Sequence, residues 1–130
     1  MVSFRALLLV MAGGAMGSVA RWLLARALDR WVTPAHVPLG ILTVNLLGCL
    51  LIGIVLGVSG RGQPVAGENA RLLLATGLCG GFTTFSTFSH QALALLQQGR
   101  LGATILYIVL SVGLGMAATA AGLTIARLMG

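Results

Sequence analysis
Four apolar stretches govern what this chain can become: roughly Phe4 to Leu28, Leu39 to Val58, Leu72 to Leu96 and Leu101 to Leu128. Each reaches the roughly 20 residues that a helix needs to cross the hydrocarbon of a bilayer. No water satisfies peptide groups in that medium, so a spanning segment must close its own hydrogen bonds as a helix. The composition agrees, because only 8% of the residues are charged, against about 25% in a soluble domain. We therefore expect an all-α membrane protein in which residues 1–130 form a single four-helix transmembrane domain. The first stretch reads as a retained span. It runs through glycine-rich sequence to Arg21 without a cleavage site of the signal-peptidase kind.

The joints are polar or turn-forming: Asp29 to Pro38, Ser59 to Asn69, and Gln97-Gln98-Gly99-Arg100. Eight arginines, no lysine and two acids leave a net charge of +6. That balance would suit nucleic acid on a soluble fold, but no basic helix or aromatic-basic platform supports such a partner. Arginines at helix ends anchor instead to lipid head groups. In a four-span chain the termini and middle loop would carry Arg5, Arg61, Arg71 and Arg127. The other side would carry Arg26, Arg30 and Arg100, with Arg21 just inside. A cytoplasmic excess of basic residues normally sets orientation, and this chain has almost none. Either other determinants orient it, or it inserts both ways and two opposed copies pair about a twofold axis in the membrane plane, as inverted repeats do. Four thin helices enclose little space, which favours a pore at a subunit interface.

The third apolar stretch is not plain. Gly77-Leu-Cys-Gly-Gly-Phe-Thr-Thr-Phe-Ser-Thr-Phe-Ser89 puts paired glycines and a run of hydroxyls at membrane depth. Irregular backbone survives there only under cover of protein or beside a water-filled cavity. The third helix is therefore expected to break mid-membrane, beside an ion path or ion site. Acids inside spans mark proton and cation routes, and here Asp29 and Glu68 both lie in the joints. The polar inventory of the spans consists of donors: Arg21, Thr43, Asn45, Thr83, Thr84, Ser86, Thr87, Ser89, Tyr107, Ser111 and Thr119. Donors and a cation suit an anion.

Several of these groups admit two readings. Asn45 is either interhelical glue, worth about 0.6 kcal/mol on average, or a pore amide. Tyr107, Ser111 and Thr119, spaced by four and eight with Gly115 in the gap, share a helix face. They either wall a single-file path or bond their own preceding carbonyls. Phe82, Phe85 and Phe88 are either packing or a set of ring edges, whose partial positive charge contacts an anion without holding it. Gly13, Gly17, Gly53 and Gly57 make two small-residue pairs for close helix packing. Cys49 and Cys79 read as small buried residues, with no metal-ligand spacing.

The chain resembles the CrcB/Fluc fluoride channel family over essentially its whole length. The resemblance rests on Gly13-Gly-Ala-Met-Gly-Ser-Val-Ala-Arg-Trp22 in the first helix, Val44-Asn-Leu-Leu-Gly48 in the second, and above all the Gly77–Ser89 string. It implies an antiparallel, dual-topology homodimer with two fluoride pores at its interface. It also implies one structural sodium ion on the twofold axis, held by the main-chain carbonyls of Gly80 and Thr83 from each subunit. The implied phenylalanine pair is Phe85 and Phe88, and the pore amide is Asn45. The implied hydroxyl track is Ser86, Thr87, Tyr107, Ser111 and Thr119, with Arg21 at a vestibule or dimer contact. Three positions depart from the family's pattern: Ile41 where a threonine is common, Gln91 where a glutamate is common, and Gly115 where some members have a serine.

The expectation is then passive fluoride export across a bacterial inner membrane, with the bilayer, fluoride and a second copy as partners and no enzymatic activity. Two alternatives stand beside it. A small dual-topology multidrug or cation exporter would need an embedded glutamate in the first helix, and none exists. A non-transporting membrane subunit would pack against a larger protein.

Overall fold
The computed structural model describes residues 2–30, 37–59 and 67–129. The joints expected around Pro34, His36 and Arg61 lie outside the described residues. Among those described there is no strand, and four helical segments are long and apolar enough to cross a membrane: Phe4–Asp29, Leu39–Ser59, Glu68–Gln97 and Leu101–Leu128. The first two are single helices, α1 (Phe4–Asp29) and α2 (Leu39–Ser59). The third span is composite. A short α3 (Glu68–Ala70) leads into a π-helical stretch over Arg71–Cys79, followed by α4 (Gly80–Phe82) and α5 (Phe85–Gln97). The fourth is α6 (Leu101–Leu128).

The third span starts four residues ahead of the expected Leu72, at Glu68. An acid in a first helical turn is favoured by the helix dipole, so the helix extends beyond its apolar part. The turn to α6 places Gly99 at φ 73°, a left-handed conformation that suits glycine.

Glycine decides how the helices meet. A Cβ on Gly17 would strike the Leu78 carbonyl and come within 2.7 Å of the Phe82 nitrogen, and one on Gly81 would lie 2.9 Å from the Gly14 Cα. Main chain therefore touches main chain where α1 crosses the third span. Gly53 and Gly122 bring α2 and α6 together in the same way. This is the close approach that small residues permit in membranes.

The small core is formed by Leu42, Ala92, Leu95 and Tyr107, with Leu46, Phe88 and Leu110 packed against it. Outward faces remain apolar, with Met11, Val19, Ile105, Val109 and Val112 all exposed. On a soluble protein so much exposed apolar surface would mark an interface or a membrane. Here the spans are membrane-length, and the chain is a multi-pass membrane protein.

Candidate functional site
The site forms where α4 gives way to α5. Thr83 (φ −82°, ψ 155°) and Thr84 (φ −150°, ψ 110°) are extended, and the helical bonding pattern is replaced by side chains. Asn45 on α2 pairs with the Thr84 peptide twice. Its Oδ1 accepts from the Thr84 N–H at 2.9 Å, and its Nδ2 donates to the Thr84 carbonyl at 3.3 Å. The Thr84 hydroxyl then caps α5 by accepting from the Thr87 N–H at 3.2 Å. This is the work of an N-cap threonine. The same hydroxyl donates to Thr87 Oγ1 at 3.0 Å and lies 3.2 Å from Ser86 Oγ.

These bonds affect two carbonyls. In a continuous helix the Gly80 carbonyl would accept from the Thr84 N–H and that of Thr83 from the Thr87 N–H. Both donors are committed elsewhere, to Asn45 and to the Thr84 side chain. Thr83 turns back, its N–H and its hydroxyl each donating to the Cys79 carbonyl at 3.0 Å. From α1, Ser18 Oγ donates to the Gly81 carbonyl at 3.4 Å. No cluster of three or more His, Cys, Asp or Glu side chains comes together among the described residues. Main-chain oxygen is the cation ligand this turn offers, and it suits a hard ion.

An open groove of about 450 Å³ runs along this turn, and Asn45, Gly80, Thr83, Phe85, Phe88 and Ser111 are among its lining residues. Phe85 is 79% exposed, whereas Phe82 is buried. The period-three series therefore divides into one packing ring, one outward ring, and Phe88 between them. The Phe85 and Phe88 centroids lie 5.7 Å apart with planes at 49°. A second groove of about 540 Å³ continues from the first, sharing Cys49, Ser111 and Val112, and reaches Thr119. The Ser111 hydroxyl oxygen is buried and has no hydrogen-bond partner among the described residues. Thr119 instead donates to the Gly115 carbonyl at 3.1 Å, the self-satisfied alternative. On the other side, Arg21, Arg26, Arg30 and Thr87 line an opening of about 610 Å³. The Arg26 guanidinium sits 5.5 Å over the Trp22 ring. The Thr84–Thr87 hydroxyl pair links this basic mouth to the first groove.

Tyr107 is one of the residues expected on the wall. It is fully buried, its ring packs 5.2 Å from Phe88, and its hydroxyl donates to Gln91 Oε1 at 2.8 Å. Its ring belongs to the core cluster with Leu42, Ala92 and Leu95. Ser86 is exposed beside the α5 cap. Sequence reasoning overlooked Ser18 and the partnership of Gln91. The threonine-rich restart of α5 carried a readable capping signal.

Residues 8–123 match the family described as CrcB-like protein, Camphor Resistance (CrcB). This chain belongs to the CrcB-like family. A CrcB-like relative from Rhizobium etli, named Fluoride-specific ion channel FluC, is 48% identical over 120 residues, covering 92% of this chain and 94% of the relative. Another of that name, from Prosthecochloris aestuarii, is 44% identical over 124 residues, covering 95% and 94%. A third, from Chlorobium phaeobacteroides, is 43% identical over 125 residues, covering 96% and 95%.

Proposed function
We propose that this CrcB-like chain is one half of a fluoride-selective channel, not an enzyme, that lets cytoplasmic fluoride leave passively across the inner membrane. The observation that carries this reading is the wall at Thr83–Thr84. An amide, several hydroxyls and an outward phenylalanine line a single groove, in a chain whose relatives are named fluoride-specific channels over nearly their full length. The interruption there is the break in the third span. Fluoride is strongly hydrated, and donors must replace that water. The basic mouth at Arg21 collects the anion. Thr87 and Ser86 pass it to the groove, where Asn45 and the edges of Phe85 and Phe88 contact it. Beyond them Ser111 offers a hydroxyl with no partner among the described residues, and Thr119 marks the far groove. Weak, serial contacts of this kind are what conduction requires.

The groove is open on one side of a single chain, and the proposed cover is a second copy inserted the opposite way, giving two pores per pair. The carbonyls of Gly80 and Thr83, deprived of their helical donors, would hold a central sodium ion, two oxygens from each copy. That ion supplies fixed positive charge beside the anion path and bridges the pair. Export follows from chemistry: neutral HF enters from acid surroundings, dissociates and is trapped as the anion. The membrane potential then drives the ion out, at about 2.3 kcal/mol per charge per 100 mV. An acid-driven exporter finds no support, since Asp29 closes α1 and Glu68 opens α3. The test is fluoride-electrode efflux from reconstituted vesicles with chloride as control. Phe85→Ile and Asn45→Asp should each suppress the fluoride signal, and undiminished efflux in both would refute the assigned path.

A further inference from the structure
A glycine has no Cβ to limit its backbone, so the Gly80-Gly81 pair does little by itself to decide which way its carbonyls face. The neighbouring helices decide it. Gly81 is pressed against α1, where a Cβ would lie 2.9 Å from the Gly14 Cα, whereas a Cβ on Gly80 would find the Ala75 carbonyl oxygen at 4.0 Å, an ordinary contact. Ser18 stands four residues beyond Gly14, on the same face of α1, and its hydroxyl donates to the Gly81 carbonyl at 3.4 Å. A serine inside a helix commonly turns back to the carbonyl four residues earlier, here that of Gly14. Ser18 reaches across instead, to main chain 63 residues away.

The result is an alternation of free and held oxygens. The Gly80 carbonyl has lost its helical donor, because the Thr84 N–H goes to Asn45. The Gly81 carbonyl is taken by Ser18. The Thr83 carbonyl has lost its donor, because the Thr87 N–H goes to the Thr84 hydroxyl. The Thr84 carbonyl is taken by Asn45 Nδ2 at 3.3 Å and by the Phe88 N–H at 3.5 Å. Asn45 makes one of the two interhelical hooks and already has a place in the path. Ser18 makes the other and has none.

We propose that Ser18 is a positioning residue for the cation site. By holding the Gly81 carbonyl toward α1 it fixes the peptide unit next to Gly80, and with it the direction of the Gly80 carbonyl. The proposal rests on the sodium reading above and adds to it a side chain that touches no ion.

The test follows the stability of the pair, not transport. Full-length protein in detergent is melted over a series of sodium concentrations, with a bulky organic cation making up the ionic strength. The proteins are wild type, Ser18→Ala and Ser18→Thr. A Ser18→Ala pair loses two hydrogen bonds beside one ion, one from each copy. Each is worth about threefold in an equilibrium constant, so the half-saturating sodium concentration should rise about tenfold. Ser18→Thr keeps the hydroxyl and should titrate near wild type. Ser18→Ala titrating like wild type would overturn the proposal. So would a melting temperature lowered equally at every sodium concentration, the mark of a packing lesion alone, or a Ser18→Thr that follows Ser18→Ala. A wild-type melting temperature indifferent to sodium would remove the sodium reading, and this inference with it. Fluoride efflux from vesicles would still judge the channel reading separately.

Discussion
Thr84 concentrates the logic of the site in one residue. Its N–H and carbonyl are paired by Asn45, and its hydroxyl both caps α5 and joins Ser86 and Thr87. Thr84→Ala should lower stability by about 1 kcal/mol, the usual value of an N-cap. It should also slow fluoride efflux, while Thr84→Ser keeps both. Thermal melting in detergent and vesicle efflux check the two halves of this expectation. At this scale the residue types were readable from sequence and their partners were not. Spacing places Tyr107, Ser111 and Thr119 on one helix face, but it does not say which hydroxyl is already bonded. Thr119 turns to its own helix, Tyr107 to Gln91, and Ser111 to no partner among the described residues.

Elements were the most legible level, because length and apolarity alone define a span in a medium without water. The π-helical stretch over Arg71–Cys79 was not legible. Gly77, inside it, lies close against the main chain of Gly13 and Gly14 on α1, a tertiary contact with no local signature. The glycines announced close packing but not the partner surfaces. Gly81→Ala should destabilise the fold by about 1–3 kcal/mol, the range for overpacking, since its Cβ would meet the Gly14 main chain. Gly102→Ala, with no atom within 4 Å of the added carbon, should be neutral or stabilise α6 by up to about 1 kcal/mol. Melting temperatures of the two variants side by side decide the matter.

For the whole molecule, the sequence supplied two separate hints: arginines nearly balanced across the spans, and too few helices to enclose a pore. The structure adds a groove open along one flank, with Phe85 facing outward. If opposed copies close it, a terminal tag should be accessible from both faces of the membrane in comparable amounts. Replacing sodium with a bulky organic cation should loosen the pair in detergent. A tag confined to one face would remove the opposed arrangement.

The bond between Asn45 and Thr84 also bears on biosynthesis. The irregular peptide has its amide partner on α2, which leaves the ribosome first because domains are made from the N-terminus onward. A circularly permuted gene that delivered the third span ahead of the second would present that peptide to lipid with its partner still untranslated. Order along the gene would then become part of how this membrane protein matures.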